Sequence, residues 1–198
     1  MFTGIVAEVG TVRSAVTTPS GRRLSIGCAT VRERLAEGDS VAVAGVCLTV
    51  IARDGDGFTV DVVPETLART TLARAAEGTR VDLEAAATPV TALGGHLVQG
   101  HVDATVALLA RTPAGDGARL RFALPQGLAR SIVEKGFVAL DGVSLTVATL
   151  DRDGFEVALI PHTAAHTTLG ALRAGDLVNF EADIIGRYVE RILGERTT

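Results

Sequence analysis

Residues Gly45-Val46-Cys47-Leu48-Thr49-Val50 return 97 positions later as Gly142-Val143-Ser144-Leu145-Thr146-Val147, one thiol exchanged for one hydroxyl. The same offset carries Asp54, Asp56, Gly57 and Phe58 onto Asp151, Asp153, Gly154 and Phe155. It continues through Pro64, Thr66, Thr70-Thr71-Leu72, Gly78 and Glu84-Ala85, which meet Pro161, Thr163, Thr167-Thr168-Leu169, Gly175 and Glu181-Ala182. Near the start the offset is 96, and Gly4 and Val6 meet Gly100 and Val102. Matches strung along a whole half-chain mark an internal duplication. The period is far longer than the roughly 20–50 residues of a solenoid unit, so each copy can bury a core of its own. The 198 residues are therefore expected to form two domains.

A formal charge of −4, from 19 basic and 23 acidic residues without a basic run, argues against a nucleic-acid partner. The two cysteines, Cys28 and Cys47, both lie in the first copy, so no disulfide framework is indicated. Met1-Phe2-Thr3-Gly4-Ile5-Val6 already belongs to the repeat and reads as part of the fold, not as a signal peptide. No window approaches the ~18 unbroken apolar residues of a membrane span. A cytoplasmic protein is expected.

Each copy reads as short strands. In the first they are Ile5 to Val12, Leu24 to Ile26, Val41 to Ala44, Cys47 to Ile51, Phe58 to Val63 and Val81 to Glu84. Turn clusters separate them, notably Asp54-Gly55-Asp56-Gly57, a composition that favours positive φ. Such spacing points to a small antiparallel barrel or sandwich. Two helical pieces are expected, Val31 to Ala36 and Glu65 to Leu72. After a linker at Thr88-Pro89-Val90-Thr91, the second copy repeats the plan. Its strands run Val102 to Ala110, Leu120 to Leu124, Phe137 to Leu140, Ser144 to Leu150, Phe155 to Ile160 and Leu177 to Glu181. A turn at Pro113 to Gly117 and a helix from about Leu128 to Glu134 complete it. The tail from Asp183 to Leu193 has no counterpart and carries one apolar stripe of an amphipathic helix. That stripe packs either on its own barrel or on the same helix of other subunits.

The chemistry concentrates in two places. In Gly94-Gly95-His96-Leu97-Val98-Gln99-Gly100-His101-Val102-Asp103, His101 stands where the first copy has Ile5. A polar residue replacing an apolar one suggests an acquired task such as moving a proton; a histidine held by backbone partners is the alternative. Cys47 and Thr49, like Ser144 and Thr146, share one face of a strand. They read either as a ligand-lining wall or as hydroxyls bonded to neighbouring backbone. His162 and His166 have i, i+4 spacing, but the first copy carries Glu65 and Arg69 there and no metal-binding motif accompanies them, so no metal is expected.

Taken together, MFTGIV at the start, the doubled GVCLTV and GVSLTV, GGHLVQGHVD between the copies and DIIGRYVERIL at the end resemble riboflavin synthase of the alpha-chain type over the whole chain. The resemblance implies an all-β fold of two homologous six-stranded antiparallel Greek-key barrels, at residues 1–90 and 91–185, and a C-terminal oligomerisation helix at 186–198. It implies dismutation of two molecules of 6,7-dimethyl-8-ribityllumazine. One gives a four-carbon unit to the other, yielding riboflavin and 5-amino-6-ribitylaminouracil without metal or external cofactor. A homotrimer held by the tail, an active site between the N-terminal barrel of one subunit and the C-terminal barrel of the next, and an association with lumazine synthase also follow from the resemblance.

Carried over by position, Gly4-Ile5-Val6, Cys47-Leu48-Thr49 and Asp61-Val62-Val63-Pro64-Glu65-Thr66 would line the first lumazine site. Gly100-His101-Val102, Lys135, Ser144-Leu145-Thr146 and Leu159-Ile160-Pro161-His162-Thr163 would line the second. Cys47, Thr49, His101, Ser144 and Asp183 are the candidates for proton loss from the 7-methyl group and for addition at the ring, and Phe2 is expected to pack over a ring. Two positions depart from the family pattern. Ala44 stands where asparagine is frequent, and His162-Thr163 replaces a Glu-Thr pair kept as Glu65-Thr66. The rival readings are an antenna protein that holds one lumazine without chemistry, and a flavin-binding reductase, for which the chain shows no Gly-rich phosphate loop.

Overall fold

The computed structural model describes residues 1–194. Twelve strands close into two separate barrels, every strand pair antiparallel. The first uses β1 (Glu8–Thr18), β2 (Gly21–Gly27), β3 (Ser40–Val43), β4 (Val46–Asp54), β5 (Gly57–Val62) and β6 (Arg80–Ala85), in the order β1-β2-β5-β4-β3-β6. The second uses β7 (Ala104–Ala114), β8 (Gly117–Ala123), β9 (Phe137–Leu140), β10 (Val143–Leu150), β11 (Gly154–Leu159) and β12 (Leu177–Ala182), in the same cyclic order. Three hairpin-linked strands, β3 to β5, with β6 returning beside β3, make a Greek key. Register shifts fall at Val12/Ser14 and Val50/Ala52, and again at Leu108/Ala110 and Val147/Thr149. The duplication has kept even these bulges, which bend strands so that a sheet can close.

Alternation supplies the cores. Val46, Leu48 and Val50 of β4 point inward with Leu24, Ile26, Phe58, Val60 and Val62. The second core substitutes bulk for some of these: Phe122 stacks on Phe155 with centroids 5.7 Å apart, and Phe180 lies tilted against Phe155 at 5.8 Å. Each such buried side chain contributes roughly 1.5–3 kcal/mol.

The barrels meet across an approximate two-fold relation between equivalent residues. Phe2 pairs with its own counterpart Val98 in an isolated antiparallel bridge, and the two share a small apolar cluster with the equivalent pair Ala42 and Ala139. Gly45 and Gly142, both left-handed (φ +73° and +85°), touch backbone to backbone; a Cβ on Gly45 would lie 2.5 Å from the Gly142 nitrogen. Asn179 Nδ2 donates to Ala44 O at 2.8 Å, and Asp82 accepts the Thr168 N–H at 2.8 Å and its hydroxyl at 2.7 Å.

Several local expectations change. Leu128 to Glu134 is no helix: only a 3₁₀ turn at Ala129–Ser131 forms, because Ile132 turns extended to bury itself in the second core. The first-copy piece shrinks likewise to Val31–Arg34, with Leu35 extended and buried. The expected helix Glu65 to Leu72 is α1 (Pro64–Arg69) and a separate 3₁₀ turn (Thr71–Arg74), broken at Thr70, whose hydroxyl bonds back to Thr66 O at 2.7 Å. Its counterpart is α2 (Pro161–His166). No residue of 54–57 takes a positive φ; the Asp54 carboxylate instead holds the reversal by accepting the Asp56 N–H at 2.8 Å. Strands β7 and β8 reach Ala114 and Gly117, narrowing that turn to two residues. The tail helix, α3 (Ile184–Gly194), starts two residues before the expected 186, and residues 195–198 of that expectation lie outside the described residues. No residue of α3 is buried, so its own barrel leaves Ile185, Tyr188, Val189, Ile192 and Leu193 exposed. Among the described residues no helix is long and apolar enough to cross a membrane.

Candidate active site

Cys47 and Ser144 occupy equivalent outward-facing positions of β4 and β10, each half-buried between inward-facing valine and leucine neighbours. Thr49 and Thr146, two residues on, are exposed on the same outer faces. Neither pair looks into a barrel interior. The side chains of Leu48, Val62, Leu145 and Leu159 do, and are wholly committed to the cores.

Each outer site is completed by a segment reaching across from the other copy, which reverses the grouping expected from the sequence. Gly4 O accepts the Ser144 N–H at 2.8 Å, and Gly100 O accepts the Cys47 N–H at 2.8 Å. Val6 packs on the second core and Val102 on the first. Gly4-Ile5-Val6 thus belongs with Ser144, and Gly100-His101-Val102 with Cys47. Both glycines are left-handed (φ +74° and +78°), and an added Cβ would lie 2.5 Å from Ser144 Cβ or 2.7 Å from Cys47 Cβ. Only a residue without a side chain allows this approach.

Two equivalent glutamates pin the crossing segments. Glu84 on β6 accepts the Thr3 N–H and Thr3 hydroxyl, both at 2.7 Å, and the Gly4 N–H at 3.0 Å. Glu181 on β12 accepts the Gln99 and Gly100 N–H groups at 2.7 and 2.9 Å. Burial raises both carboxyls above their usual range, and these hydrogen bonds, by favouring the charged form, oppose it. Each barrel therefore holds the segment that finishes its neighbour's site.

The Cys47 cleft, about 200 Å³, is lined by Val46, Cys47, Glu65, Thr66, Arg69, Thr70 and Gly100 to Val102. Arg69 and Glu65 are paired one turn apart on α1 at 2.5 Å. Asp61 is drawn off to Arg23 at 2.7 Å, while Val63 and Pro64 are exposed at the start of α1. His101, expected in the second site, stands here with its imidazole exposed.

Around Ser144 the furniture differs. His96 Nδ1 lies 2.7 Å from Ser144 Oγ, and its ring stacks on Phe137 with centroids 5.1 Å apart and planes 8° from parallel. Asp183 accepts the Ile185 N–H at 3.0 Å, capping α3, and with Phe137 lines a groove of about 450 Å³. Lys135 is left-handed and exposed, its Nζ on Ala148 O at 3.1 Å. Ile160, Pro161 and His162 are exposed at the start of α2, where the His162 ring stacks on that of His166 with centroids 4.2 Å apart. Phe2 is 1% exposed between the barrels, where it holds the crossing segment.

His96, Phe137 and Arg69 were not among the expected site residues. The paired glycines before His96 were the available signal: a Cβ on Gly95 would lie 2.3 Å from Thr3 O and 2.8 Å from Ser144 Oγ. Arg69 and Phe137 carry no sequence signal, because their place depends on which elements adjoin them.

The model of the lumazine binding domain matches residues 3–86 and 99–183. Riboflavin synthase of Mycobacterium tuberculosis H37Rv is 48% identical over 197 residues, covering 98% of each chain. That of Bacillus subtilis is 39% identical over 193 residues, 98% of this chain and 90% of the relative. Among solved structures, LumP complexed with riboflavin superposes with a TM-score of 0.85 at 24% identity, covering 92% of this chain and 99% of that one; at this identity the likeness speaks for the fold. Two such domains, and identities of this size along the whole length, make the chain a member of the riboflavin synthase family.

Proposed function

We propose that this enzyme is a riboflavin synthase. It takes two molecules of 6,7-dimethyl-8-ribityllumazine and transfers a four-carbon unit from one to the other, releasing riboflavin and 5-amino-6-ribitylaminouracil. The observation that carries the reading is the pair of equivalent outer sites, one built on Cys47 and one on Ser144, each closed by a left-handed glycine segment. A reaction that consumes two copies of one molecule calls for two related pockets. Their chemical difference suits unlike roles as donor and acceptor. The dismutation gains and loses no atoms, so it calls for no oxidant. Holding two reactants in register is worth up to about 7–11 kcal/mol of barrier.

In this reading Cys47, Thr49 and His101 serve one lumazine, and Ser144 and Asp183 the other. The Cys47 cleft is small and open, which fits a site finished by a second subunit. The uncovered stripe of α3 supports a homotrimer in which the N-terminal barrel of one subunit faces the C-terminal barrel of the next. A cytoplasmic location, the domain limits 1–90, 91–185 and 186–198, and an association with lumazine synthase belong to the same proposal.

The test is incubation with 6,7-dimethyl-8-ribityllumazine alone, followed by chromatography. One riboflavin and one pyrimidine for every two lumazines consumed is the expected result. Tight binding without turnover would replace the synthase by an antenna protein.

A further inference from the structure

We propose that Arg187 is a positioning residue for the Cys47 pocket: from α3 it ties down the peptide that carries His101, so a helix lying outside the duplication sets the roof of this pocket. The inference rests on the Cys47 cleft being a lumazine site. It starts from how α3 sits. The exposed apolar residues Ile185, Tyr188, Val189 and Ile192 share one face of the helix. At about 100° per residue, Arg187 stands on the opposite face. That face, with Ile184, Gly186 and Glu190, is half-buried. The contacts there are close and polar: a Cβ on Gly186 would lie 3.0 Å from Ser131 O, and the Ser131 hydroxyl donates to Glu190 Oε2.

Arg187 reaches furthest from this face. Its Nη2 donates to His101 O at 3.2 Å and pairs with the Asp103 carboxylate. Asp103 is itself anchored on β12. Its other carboxylate oxygen accepts the Ala182 N–H at 2.9 Å, and its own N–H donates to Phe180 O at 2.9 Å. Arg187 Nε is buried without a partner, so among the described residues the hold on this segment runs through Nη2. The segment is therefore gripped twice, by Glu181 at Gln99 and Gly100 and by Arg187 at His101 and Asp103. Burial pushes the Glu181 carboxyl up; the two N–H groups and then the Arg187 charge oppose this, so Arg187 also favours the ionised form of the other clamp.

The pseudo-symmetry shows what is added. Glu84 holds the segment over Ser144 as Glu181 holds the one over Cys47. Ala7, however, stands where the second copy has Asp103, and α3 has no counterpart in the first copy. The roof over Cys47 thus has a second tie that the roof over Ser144 lacks, and the tie lands on His101, which lines the Cys47 cleft.

Arg187→Met removes the tie and keeps the aliphatic stem. It is read with two thiol reporters: Cys47 in a Cys28→Ser background, and the thiol introduced by Ser144→Cys in a Cys28→Ser/Cys47→Ser background. Sedimentation checks that assembly is unchanged. Loss of a hydrogen bond to a charged donor should speed Cys47 alkylation on the order of 10-fold, while the thiol at position 144 keeps its rate. With Cys47 and Ser144 both in place, kcat for riboflavin formation should fall by roughly 10-fold, from misplacement of His101, with KM nearly unchanged. Wild-type Cys47 alkylation and kcat in Arg187→Met would overturn the proposal, as would equal acceleration of both thiols, which would mark a general loosening. Should Arg187→Met fail to fold, Asp103→Asn, which keeps an acceptor for Ala182 and removes the charge that pairs with Arg187, carries the same test with the same expected directions. Lumazine that fails to slow Cys47 alkylation in the wild-type segment would instead defeat the reading of this cleft as a lumazine site and leave the tie readable from the alkylation rates.

Discussion

Glu181→Gln tests the crossed architecture, because it perturbs one barrel and reads out in the other. Glu181 is 3% exposed and uses its two carboxylate oxygens for the Gln99 and Gly100 N–H groups. Glutamine offers one acceptor, so one N–H then faces an amide donor. Hydrogen bonds to a charged acceptor are worth about 1.5–3 kcal/mol. The neutral side chain recovers part of the desolvation that raises the Glu181 pKa, which leaves a net loss of about 1–2 kcal/mol. The melting temperature should fall by roughly 2–8 °C. The discriminating assay is alkylation of Cys47 in a Cys28→Ser background. Gly100 lies over Cys47, so freeing that segment should speed alkylation by up to roughly 5–30-fold. Glu84→Gln, which frees the segment over Ser144, should leave the Cys47 rate unchanged. Equal acceleration by both variants would refute the crossing as a pair of separate clamps.

Three further outcomes follow from single sites. Burial pushes Asp82 up to about 6 from an ordinary 3.8, so its stabilising contribution is complete below pH 3.8 and lost as pH rises through 6. Asp82→Asn, which copies Asn179 of the second repeat, should flatten denaturant stability between pH 4.5 and 7.5; because both Asp82 oxygens accept from Thr168 and asparagine keeps one acceptor, the gain at the upper end should fall well short of the roughly 3 kcal/mol that the whole shift represents, and an unchanged slope would count against this. Ile192→Asp, on the exposed stripe of α3, should shift the oligomer to monomer in sedimentation with the barrel melting temperature nearly unaltered, whereas a persisting trimer would remove α3 from the interface. Cys47→Ser should keep most turnover, since Ser144 fills the equivalent place with a hydroxyl; lost turnover with lumazine binding intact would give the thiol a direct chemical role.

The strands were legible in the sequence because each alternates, and because the duplication states every one twice. Val46, Leu48 and Val50 announce a half-buried strand, and Val143, Leu145 and Val147 repeat it. Short helical pieces were overread: Leu128 to Glu134 has helical composition, but one buried Ile132 outweighs several propensities of a few tenths of a kcal/mol. Site membership was legible as residue types and not as grouping. Gly4 lies next to Cys47 by repeat logic and next to Ser144 in space. That exchange depends on Glu84, Phe2 and two left-handed glycines, contacts that span some eighty or more positions of sequence. Alternation alone could have removed Leu48 and Leu145 as ligand contacts, since it sends them inward.

The most direct measurement uses lumazine labelled with carbon-13 in both methyl groups and the ring carbons that bear them, mixed with an equal amount of unlabelled lumazine. If the protein joins two lumazines by four-carbon transfer, mass spectrometry will show unlabelled, half-labelled and fully labelled riboflavin, with the half-labelled form the most abundant. Riboflavin lacking the half-labelled form, or lumazine bound and returned unchanged, would contradict the account.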